Sequence, residues 1–341
     1  MSRTLHLDAS NPADLLRAAD ILRAGGLVAF ATETVYGLGA NALSADAVNS
    51  IFAAKQRPSW DPVIVHLASA EQLSTVSSLS PELAPRVMAL SQAFWPGPLT
   101  LLLPRLPAIP DAVTAGRELV GVRVPAHPVA HALLLAAGLP IAAPSANLFG
   151  HTSPTTAVHV LDDLDGRIDA VLDAGPTSIG VESTVLDPTR TPMLLYRPGA
   201  VTAAQLTAAT GVEVEVFLPN PSSIEQPPES LPSPGVGIRH YAPRARLVLV
   251  EGTEIALQNA LPPSALPKVG VMLPTGWSIS VDAVLQPWAR WDDPEGLAAT
   301  LFSGLRSLDD RGVSLILCPL PEPGGLADAI RDRLQKAARI A

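Results

Sequence analysis

A proline-rich segment after residue 217 constrains the fold of this chain more than any other feature of its sequence. Residues 218 to 237, LPNPSSIEQPPESLPSPGVG, consist largely of Pro, Ser and Gly. Proline lacks a backbone N–H and cannot continue a helix or a central strand. The segment therefore predicts an extended linker. Because 341 residues suffice for two ordinary domains, we expect one domain on each side of it.

The residues before this linker alternate between helix-like and strand-like patterns. NPADLLRAADILRAGG has an Asn cap, a Pro at the first helical position and a Gly at its end, which predict a helix over 11–24. LVAFAT predicts a buried strand over 27–32, and Ser44 caps a second helix whose Ala47, Val48, Ile51 and Phe52 face the core. Later come three short strands without long helices between them, AVLDAG, STVLDP and MLLYRPG. This mixture predicts an α/β domain over 1–217, with a twisted mixed sheet and flanking helices.

The residues after the linker show a simpler alternation. The apolar runs RLVLVEG, KVGVMLP and VSLILCPLP are separated by helix-like stretches. This pattern predicts a smaller, Rossmann-like α/β domain over 246–341, of typical domain size. Residues 218–245 are then the connection between the two predicted domains.

Composition excludes several classes of protein. Hydrophobic residues make up 48% of the chain and charged residues 16%, so a large core forms and disorder of the whole chain is excluded. A net charge of −9 argues against a general binder of nucleic acid or membrane surfaces. The single cysteine, Cys318, cannot form an internal disulfide, and no signal peptide or membrane-spanning run is visible. We therefore expect a cytoplasmic protein with no membrane partner.

Lys55 stands out because the chain has only three lysines, against 20 arginines. It lies two residues before Arg57, at the end of the helix that Ser44 caps. A lysine ammonium is a compact charge that suits a single phosphate oxygen, whereas the arginine guanidinium is a planar fork. The pair is equally compatible with the solvated end of a helix, where basic residues suit the helix dipole. The spacing alone leaves both interpretations open.

Further polar residues follow the predicted strands of the first domain. Arg123 lies in VGVRVP, where a buried charge needs an anionic partner from the protein or from a ligand. Taken singly, each of these signals also has a purely structural explanation. ATETVYGLGA is compatible with an ordinary glycine-rich turn, and His66 is compatible with an ordinary core histidine. GxxxxGK[ST], GxGxxG and the usual metal-ligand signatures are absent from the sequence, so no protein-bound metal is expected. The recurring candidates at strand ends are Thr34, His66, Ser145, Asn147, Ser153, Ser183 and Arg197.

Together these motifs resemble one family. KQR at 55–57 with PSAN at 144–147 is similar to the KxR…SxN pattern of YrdC-like domains, and TETVYGLG, FWPGPLTLLL, VRVPAHP and VESTV occur in the family's order. The second domain, preceded by GIRHYAPRA, resembles the two-domain form of threonylcarbamoyl-AMP synthase. The resemblance is strong over 11–217 and rests mainly on position and pattern in the C-terminal domain.

The resemblance implies a reaction. L-threonine, bicarbonate or CO2, and ATP would give threonylcarbamoyl-AMP and pyrophosphate, for the N6-threonylcarbamoyladenosine at position 37 of tRNAs that decode ANN codons. It also implies a downstream threonylcarbamoyl transferase complex as partner, Mg2+ carried by ATP, and no stable nucleic-acid binding. Catalysis would come from positioning and charge neutralisation.

The family pattern also implies roles for individual residues. Lys55 and Arg57 would act on the phosphates and carry the catalysis. Apart from the family pattern, the cluster of Arg239, His240 and Tyr241 after the linker predicts that Tyr241 or His240 packs on ATP as the linker closes over the nucleotide. The alternative is that this segment is a docking strand for the second domain. The remaining implied threonine contacts are Thr34, His66, Arg123, Ala143 and Ser183, and the remaining implied ATP contacts are Asp61, Ser145, Asn147, Ser153 and Arg197.

The sequence departs from the family at two positions. Asp61 stands where a small polar residue is frequent, and Leu119 stands where Thr is common. A carboxylate repels a bare triphosphate, so Asp61 is expected either to bind Mg2+ or to face away.

Two other functions compete with the synthase. YrdC-like domains also resemble binders of double-stranded RNA, which the acidic balance of this chain disfavours. Carbamoyl transfer to a protein in hydrogenase maturation would require acylphosphatase and zinc-finger modules, for which a chain with one cysteine has no room.

Overall fold

The computed structural model describes residues 3–218, 233, 240–261, 268–280 and 283–339. By their contacts these residues divide into two compact units. The first unit contains residues 3–149, 154–178, 182–218 and 233. The second contains residues 150–153, 179–181, 240–261, 268–280 and 283–339. The predicted domain limits at 217/218 and 245/246 stay a prediction, and most of the predicted lid lies outside the described residues.

The first unit is built on one mixed sheet. Its described strands are β1 Leu5–Asp8, β2 Val28–Ala31, β3 Tyr36–Asn41, β4 Ile64–His66, β5 Leu99–Pro104, β6 Leu119–Arg123, β7 Ile141–Ala142, β8 Ala170–Asp173, β9 Thr184–Asp187, β10 Met193–Arg197 and β11 Val214–Val216. Their order across the sheet is β1-β8-β2-β3-β7-β4-β6-β5-β9-β10-β11. β1, β8 and β2 pair in parallel, as do β4 and β6, whereas β3 and β7 pair antiparallel with their neighbours. The predicted mixed α/β fold is confirmed.

Helices flank this sheet and begin where the sequence indicates. They are α1 Pro12–Arg23, α2 Ala45–Lys55, α3 Ala84–Phe94, α4 Asp111–Thr114, α5 Pro128–Ala137, α6 Ala157–Leu164 and α7 Ala203–Thr210, with a 3-10 helix at Ala70–Thr75. The side chain of Asn11 accepts a hydrogen bond from the amide of Ala13, and that of Ser44 accepts one from Ala47. These bonds satisfy amides that have no partner within the first helical turn. The four predicted core residues of α2 are buried, and so is Lys55 at its end.

The glycines of TETVYGLGA lie in a strand and do not form a turn. The loop is confined to residues 32–35, and Gly37 and Gly39 belong to β3. A Cβ at Gly39 would lie 2.8 Å from the Phe30 ring and 2.9 Å from Ile141. Glycine is therefore needed here because side chains from both sides pack against the strand.

The second unit has a four-stranded parallel sheet. Its described strands are β12 Arg246–Glu251, β13 Val269–Thr275, β14 Val284–Arg290 and β15 Leu315–Leu320, in the order β12-β15-β13-β14. Its described helices are α8 Glu254–Asn259, α9 Pro294–Asp310 and α10 Ala327–Ala337. The sequence analysis missed β14, which contains Pro287 and lies at the sheet edge, where strands tolerate proline. The smaller parallel α/β domain is confirmed.

No helix in the part of the chain that the structure describes is long and apolar enough to cross a bilayer.

Candidate active site

The carboxyl ends of two parallel strands bring His66 and Arg123 together. His66 ends β4 and Arg123 ends β6, and the two residues are direct partners in the strand register. Neighbouring residues in register project from the same face of a sheet. Both side chains are buried, and Arg123 is only 3% exposed.

The guanidinium of Arg123 uses each of its nitrogens. Nε donates to the carbonyl oxygen of Gly97 at 3.2 Å, and Nη1 donates to the hydroxyl of Thr34 at 2.9 Å. Nη2 lies 2.6 Å from Oε1 of Glu33, in a buried ion pair. Glu33 was not among the predicted site residues, although a buried Arg123 was expected to need an anionic partner.

Glu33 is ionised in this environment. Burial is the largest single influence and raises the pKa of Glu33, but the charge of Arg123 and the hydrogen-bonding groups around the carboxylate together outweigh it, and the net pKa is lowered. The backbone amides of Glu33 itself and of Ala126 also favour the charged form. Neither carboxylate oxygen meets the geometry of a hydrogen bond with a described residue, however. The pair is therefore held mainly by charge.

His66 is neutral. Burial lowers its pKa to about 3, and the charge of Arg123 acts in the same direction. The ring lies edge-on to Phe30, with 6.2 Å between ring centroids. Nδ1 is buried and makes no hydrogen bond to a described residue. A neutral imidazole nitrogen with no protein partner is suited to a hydrogen bond with a ligand.

The hydroxyl of Thr34 is oriented by its own loop. Thr32 Oγ1 donates to the carbonyl oxygen of Val35 at 2.7 Å and lies 2.8 Å from Thr34 Oγ1. Since a hydroxyl has one proton, Thr34 must donate in the contact with Thr32. Thr34 then presents a lone pair to Arg123.

Arg197 and Ser183 form a second buried cluster. Arg197 Nε donates to the carbonyl oxygen of Ser183 at 3.0 Å, and Nη2 donates to its hydroxyl at 3.1 Å. Thr100, a residue that sequence analysis missed, contacts the same hydroxyl at 2.8 Å. The cluster ties the loop before β9 to β5 and β10.

Lys55 is buried and binds the loop that follows β7. It is 1% exposed, and its Nζ donates to the carbonyl oxygens of Ser145 and Asn147. Burial lowers the pKa of Lys55 well below its usual value, and the charge of Arg57 adds to this effect. These contacts exclude the solvated helix end. The predicted contact with phosphate stays a prediction.

Arg57 pairs with Asp61 four residues later. Its Nη2 lies 2.9 Å from Asp61 Oδ1 and donates to the carbonyl oxygen of Pro62 at 2.8 Å. Burial raises the pKa of Asp61, although the charges of Arg57, Lys55 and Arg197 act the other way. Three basic side chains thus act on one carboxylate, and a bound anion would favour the charged form of Lys55.

The segment after β7 runs beside β3 and β4. The amide of Ala143 donates to the carbonyl oxygen of Ile64 at 2.8 Å, and Ser145 pairs with Gly37 in a β-bridge. Asn147 is buried, and its Nδ2 donates to the carbonyl oxygen of Leu148 at 2.8 Å. The backbone thus brings Ala143 to β4, which ends with His66, and Ser145 to β3, which follows the loop of Thr34.

Ser153 and Tyr241 belong to the second unit. Both are buried, and the segments around them are joined by a hydrogen bond from the amide of Ala242 to the carbonyl oxygen of Gly150. The Tyr241 ring stacks on Phe302 at 5.8 Å between centroids. The predicted contacts of Ser153 and Tyr241 with ATP stay predictions.

The described carboxylates and histidines offer few ligands for a metal ion. No group of three or more His, Cys, Asp or Glu side chains among the described residues could hold one. Asp61, the acidic residue predicted beside the phosphates, is paired with Arg57. A Mg2+ ion would therefore have to bring most of its ligands with it, as the ion of MgATP does.

Comparison with known proteins gives similarity over the whole chain. A family model for Sua5, YciO and YrdC, described as Telomere recombination, matches residues 20–199. A second model, described as the C-terminal domain of threonylcarbamoyl-AMP synthase, matches residues 201–339. The chain is 44% identical to a threonylcarbamoyl-AMP synthase of Bacillus subtilis, covering 96% of this chain and 94% of the relative. It is 42% identical to one of Pyrococcus abyssi, covering 94% and 93%. The crystal structure of P. abyssi Sua5 complexed with L-threonine is 38% identical, with a TM-score of 0.86, and the match covers 99% of this chain and 98% of that one.

Proposed function

Because this chain belongs to the threonylcarbamoyl-AMP synthase family, we propose that it is a nucleotidyltransferase that makes threonylcarbamoyl-AMP. The substrates are L-threonine, bicarbonate or CO2, and ATP, and the second product is pyrophosphate. The observation that carries the proposal is the buried arrangement of His66 at the end of β4, Arg123 at the end of β6 and Thr34 in the loop that follows β2. It offers a cation, a neutral imidazole and an oriented hydroxyl to one small polar ligand.

In this proposal, Arg123 binds the carboxylate of threonine. An arginine fork makes two parallel hydrogen bonds to a carboxylate, which justifies burying its charge. The hydroxyl of Thr34, which contacts Arg123, and Nδ1 of His66, which is the partner of Arg123 in the strand register, are proposed to complete the recognition, together with the backbone of Ala143 and the hydroxyl of Ser183. The crystal structure of P. abyssi Sua5 with L-threonine supports this ligand.

The nucleotide is assigned to the cationic side of the site. Lys55, Arg57 and Arg197 surround Asp61 and leave a positive balance there. Phosphate charge would be neutralised by these side chains, while Ser145 and Asn147 lie on the loop that Lys55 holds. Mg2+ arrives as part of MgATP and stabilises charge on the phosphates when it is bound. Ser153 and Tyr241 complete the proposed set of ATP contacts.

The chemistry requires positioning and charge neutralisation, without a covalent enzyme intermediate. The threonine amine, once deprotonated, adds to CO2 and loses one further proton to give a carbamate. A carbamate oxygen then attacks the α-phosphorus of ATP, the bond from this phosphorus to the bridging oxygen breaks, and pyrophosphate leaves. Aligning these two reactants and neutralising their negative charge is the task of Arg123 and of the cationic cluster.

The product is a labile mixed anhydride. We propose that it passes to a threonylcarbamoyl transferase that modifies position 37 of tRNAs decoding ANN codons, in the cytoplasm. A net charge of −9 does not favour stable binding of the tRNA by this chain itself.

Omission of single substrates tests the proposal. Purified protein with MgATP, labelled threonine and bicarbonate should form an AMP-linked product and pyrophosphate in equal amounts. Leaving out threonine or bicarbonate should abolish both. Arg123→Ala should prevent product formation, whereas Arg290→Ala, at an exposed arginine of the second unit, should not. Pyrophosphate release that needs neither threonine nor bicarbonate would refute the function.

A further inference from the structure

Glu33 is a buried carboxylate whose oxygens form no hydrogen bond of good geometry with the described residues. The residue is 6% exposed, and its Oε1 contacts Nη2 of Arg123. Neither oxygen has a hydrogen-bond partner among the described residues. An ionised carboxylate accepts about four hydrogen bonds, and a buried one that lacks them is costly. Such a group in a binding pocket points to a donor supplied by the ligand.

Arg123 keeps N–H groups for a second carboxylate beside Glu33. Its Nε is bonded to Gly97, Nη1 to Thr34 and Nη2 faces Glu33, but a guanidinium has five N–H groups, two of them on each Nη. With a threonine carboxylate bound, one guanidinium faces two carboxylates. A second cation is then needed, because uncompensated charge in the interior is strongly disfavoured.

The substrate itself carries that cation. Threonine is a zwitterion near neutral pH, and its nitrogen lies about 2.5 Å from its carboxylate carbon, since both are bonded to Cα. Glu33 and Arg123 lie 2.6 Å apart. A ligand carboxylate on Arg123 would thus bring its ammonium beside Glu33. The two histidines that sense the charge of Glu33, His66 and His127, have pKa values lowered first of all by burial and do not supply a positive charge at neutral pH.

We propose that Glu33 binds the ammonium group of threonine while Arg123, which faces Glu33, binds the carboxylate. The proposal rests on the function proposed above and deepens it. One buried ion pair in the free protein becomes two in the complex, and the pocket stays neutral throughout. Glu33 therefore selects α-amino acids over carboxylic acids that lack the amine, and its negative charge accounts for the selection.

Calorimetric binding of two ligands tests this assignment. L-threonine and (R)-3-hydroxybutanoate differ only in the ammonium group. Native protein should bind threonine at least tenfold more tightly. Glu33→Gln keeps the shape of the side chain and removes its charge, so the affinity for threonine should fall at least tenfold. The affinity for (R)-3-hydroxybutanoate should stay the same or rise, because the variant lacks the negative charge that repels the ligand carboxylate.

Several controls separate the possible outcomes. Glu82→Gln makes the same chemical change at an exposed position and should leave the affinities for threonine and for (R)-3-hydroxybutanoate unchanged. The affinity of Glu33→Gln for ATP should also equal that of the native protein. If Glu33→Gln lost affinity for both ligands by the same factor, Glu33 would only hold Arg123 in position, and the proposal would be overturned. Unchanged threonine binding by this variant would overturn it as well. Should Glu33→Gln fail to fold, equal affinity of native protein for the two ligands would still refute it. Native protein that binds no threonine would instead refute the proposed function.

Discussion

Arg197 donates two hydrogen bonds to Ser183. One goes to the carbonyl oxygen of Ser183 at 3.0 Å and the other to the Ser183 hydroxyl at 3.1 Å. Arg197 ends β10, and Ser183 directly precedes β9, its antiparallel neighbour. The proposed ligand of Arg197 is ATP, whereas that of Ser183 is threonine. A single guanidinium thus joins the two proposed binding regions, and both should respond when it changes.

Arg197→Lys is expected to weaken the binding of both threonine and ATP. A lysine ammonium cannot reproduce the two directed bonds of the guanidinium to one residue. We expect KM to rise about tenfold or more for threonine and for ATP, which corresponds to about 1.4 kcal/mol for each. Steady-state kinetics with each substrate varied in turn measures this. Arg86→Lys is the matched control, because Arg86 bonds only the turn around Pro188 and Thr191 in the contacts described. A rise in KM for ATP alone would contradict a role of Arg197 in binding both substrates.

Lys55 and Arg57 are expected to contribute to transition-state stabilisation. If both neutralise phosphate charge, Lys55→Ala and Arg57→Ala should each lower kcat/KM at least about 30-fold, or about 2 kcal/mol. Lys268→Ala, at an exposed lysine, should have no effect. Near-normal turnover by both site variants, with intact ATP affinity, would restrict these residues to a structural role.

Stability must be measured alongside these rates, because both side chains are buried. Arg57→Ala leaves Asp61 as a buried carboxylate without its partner, which costs about 3 kcal/mol or more. Arg57→Ala combined with Asp61→Asn removes that unpaired charge. The double variant should recover much of the free energy of unfolding, as measured by urea denaturation, but not the turnover.

Patterns along the sequence predicted most of the elements, because caps and apolar periodicity are local properties. Asn11 and Ser44 begin helices as expected, and the four predicted core residues of α2 are buried. The strand β3 was missed because its two glycines are typical of turns. They are required instead by the rings and side chains packed over them, which the local sequence does not reveal.

The partners of the site residues depend on contacts between distant parts of the chain. The rarity of lysine singled out Lys55, but no local pattern shows that it bonds the carbonyl oxygen of Ser145, 90 residues away. Glu33 was overlooked for a related reason. A glutamate in a loop is usually exposed, and only the meeting of this loop with the end of β6 buries it against Arg123.

Arg123→Lys should distinguish the two substrates. The lysine loses the bidentate fork that the threonine carboxylate is proposed to use. We expect affinity for threonine to fall by at least about 2 kcal/mol, while that for ATP stays nearly unchanged. Threoninol, which has no carboxylate, should bind native protein very poorly. Calorimetry measures all three, and threoninol binding as tight as that of threonine would exclude this role of Arg123.

The buried neutral state of His66 predicts a dependence of stability on pH. Its pKa is about 3 in the folded protein, against 6.5 for an unperturbed histidine. Between these values the unfolded chain takes up a proton that the folded chain does not, so the free energy of unfolding falls as pH is lowered through 6.5 towards 3. The loss from this residue is about 1.4 kcal/mol per pH unit, or about 2 kcal/mol at pH 5. His66→Gln removes the titration. Urea denaturation of both proteins at pH 7, 6 and 5 should therefore show about 2 kcal/mol less loss for the variant than for the native protein. Parallel losses in the two proteins would show that His66 titrates alike in its folded and unfolded states.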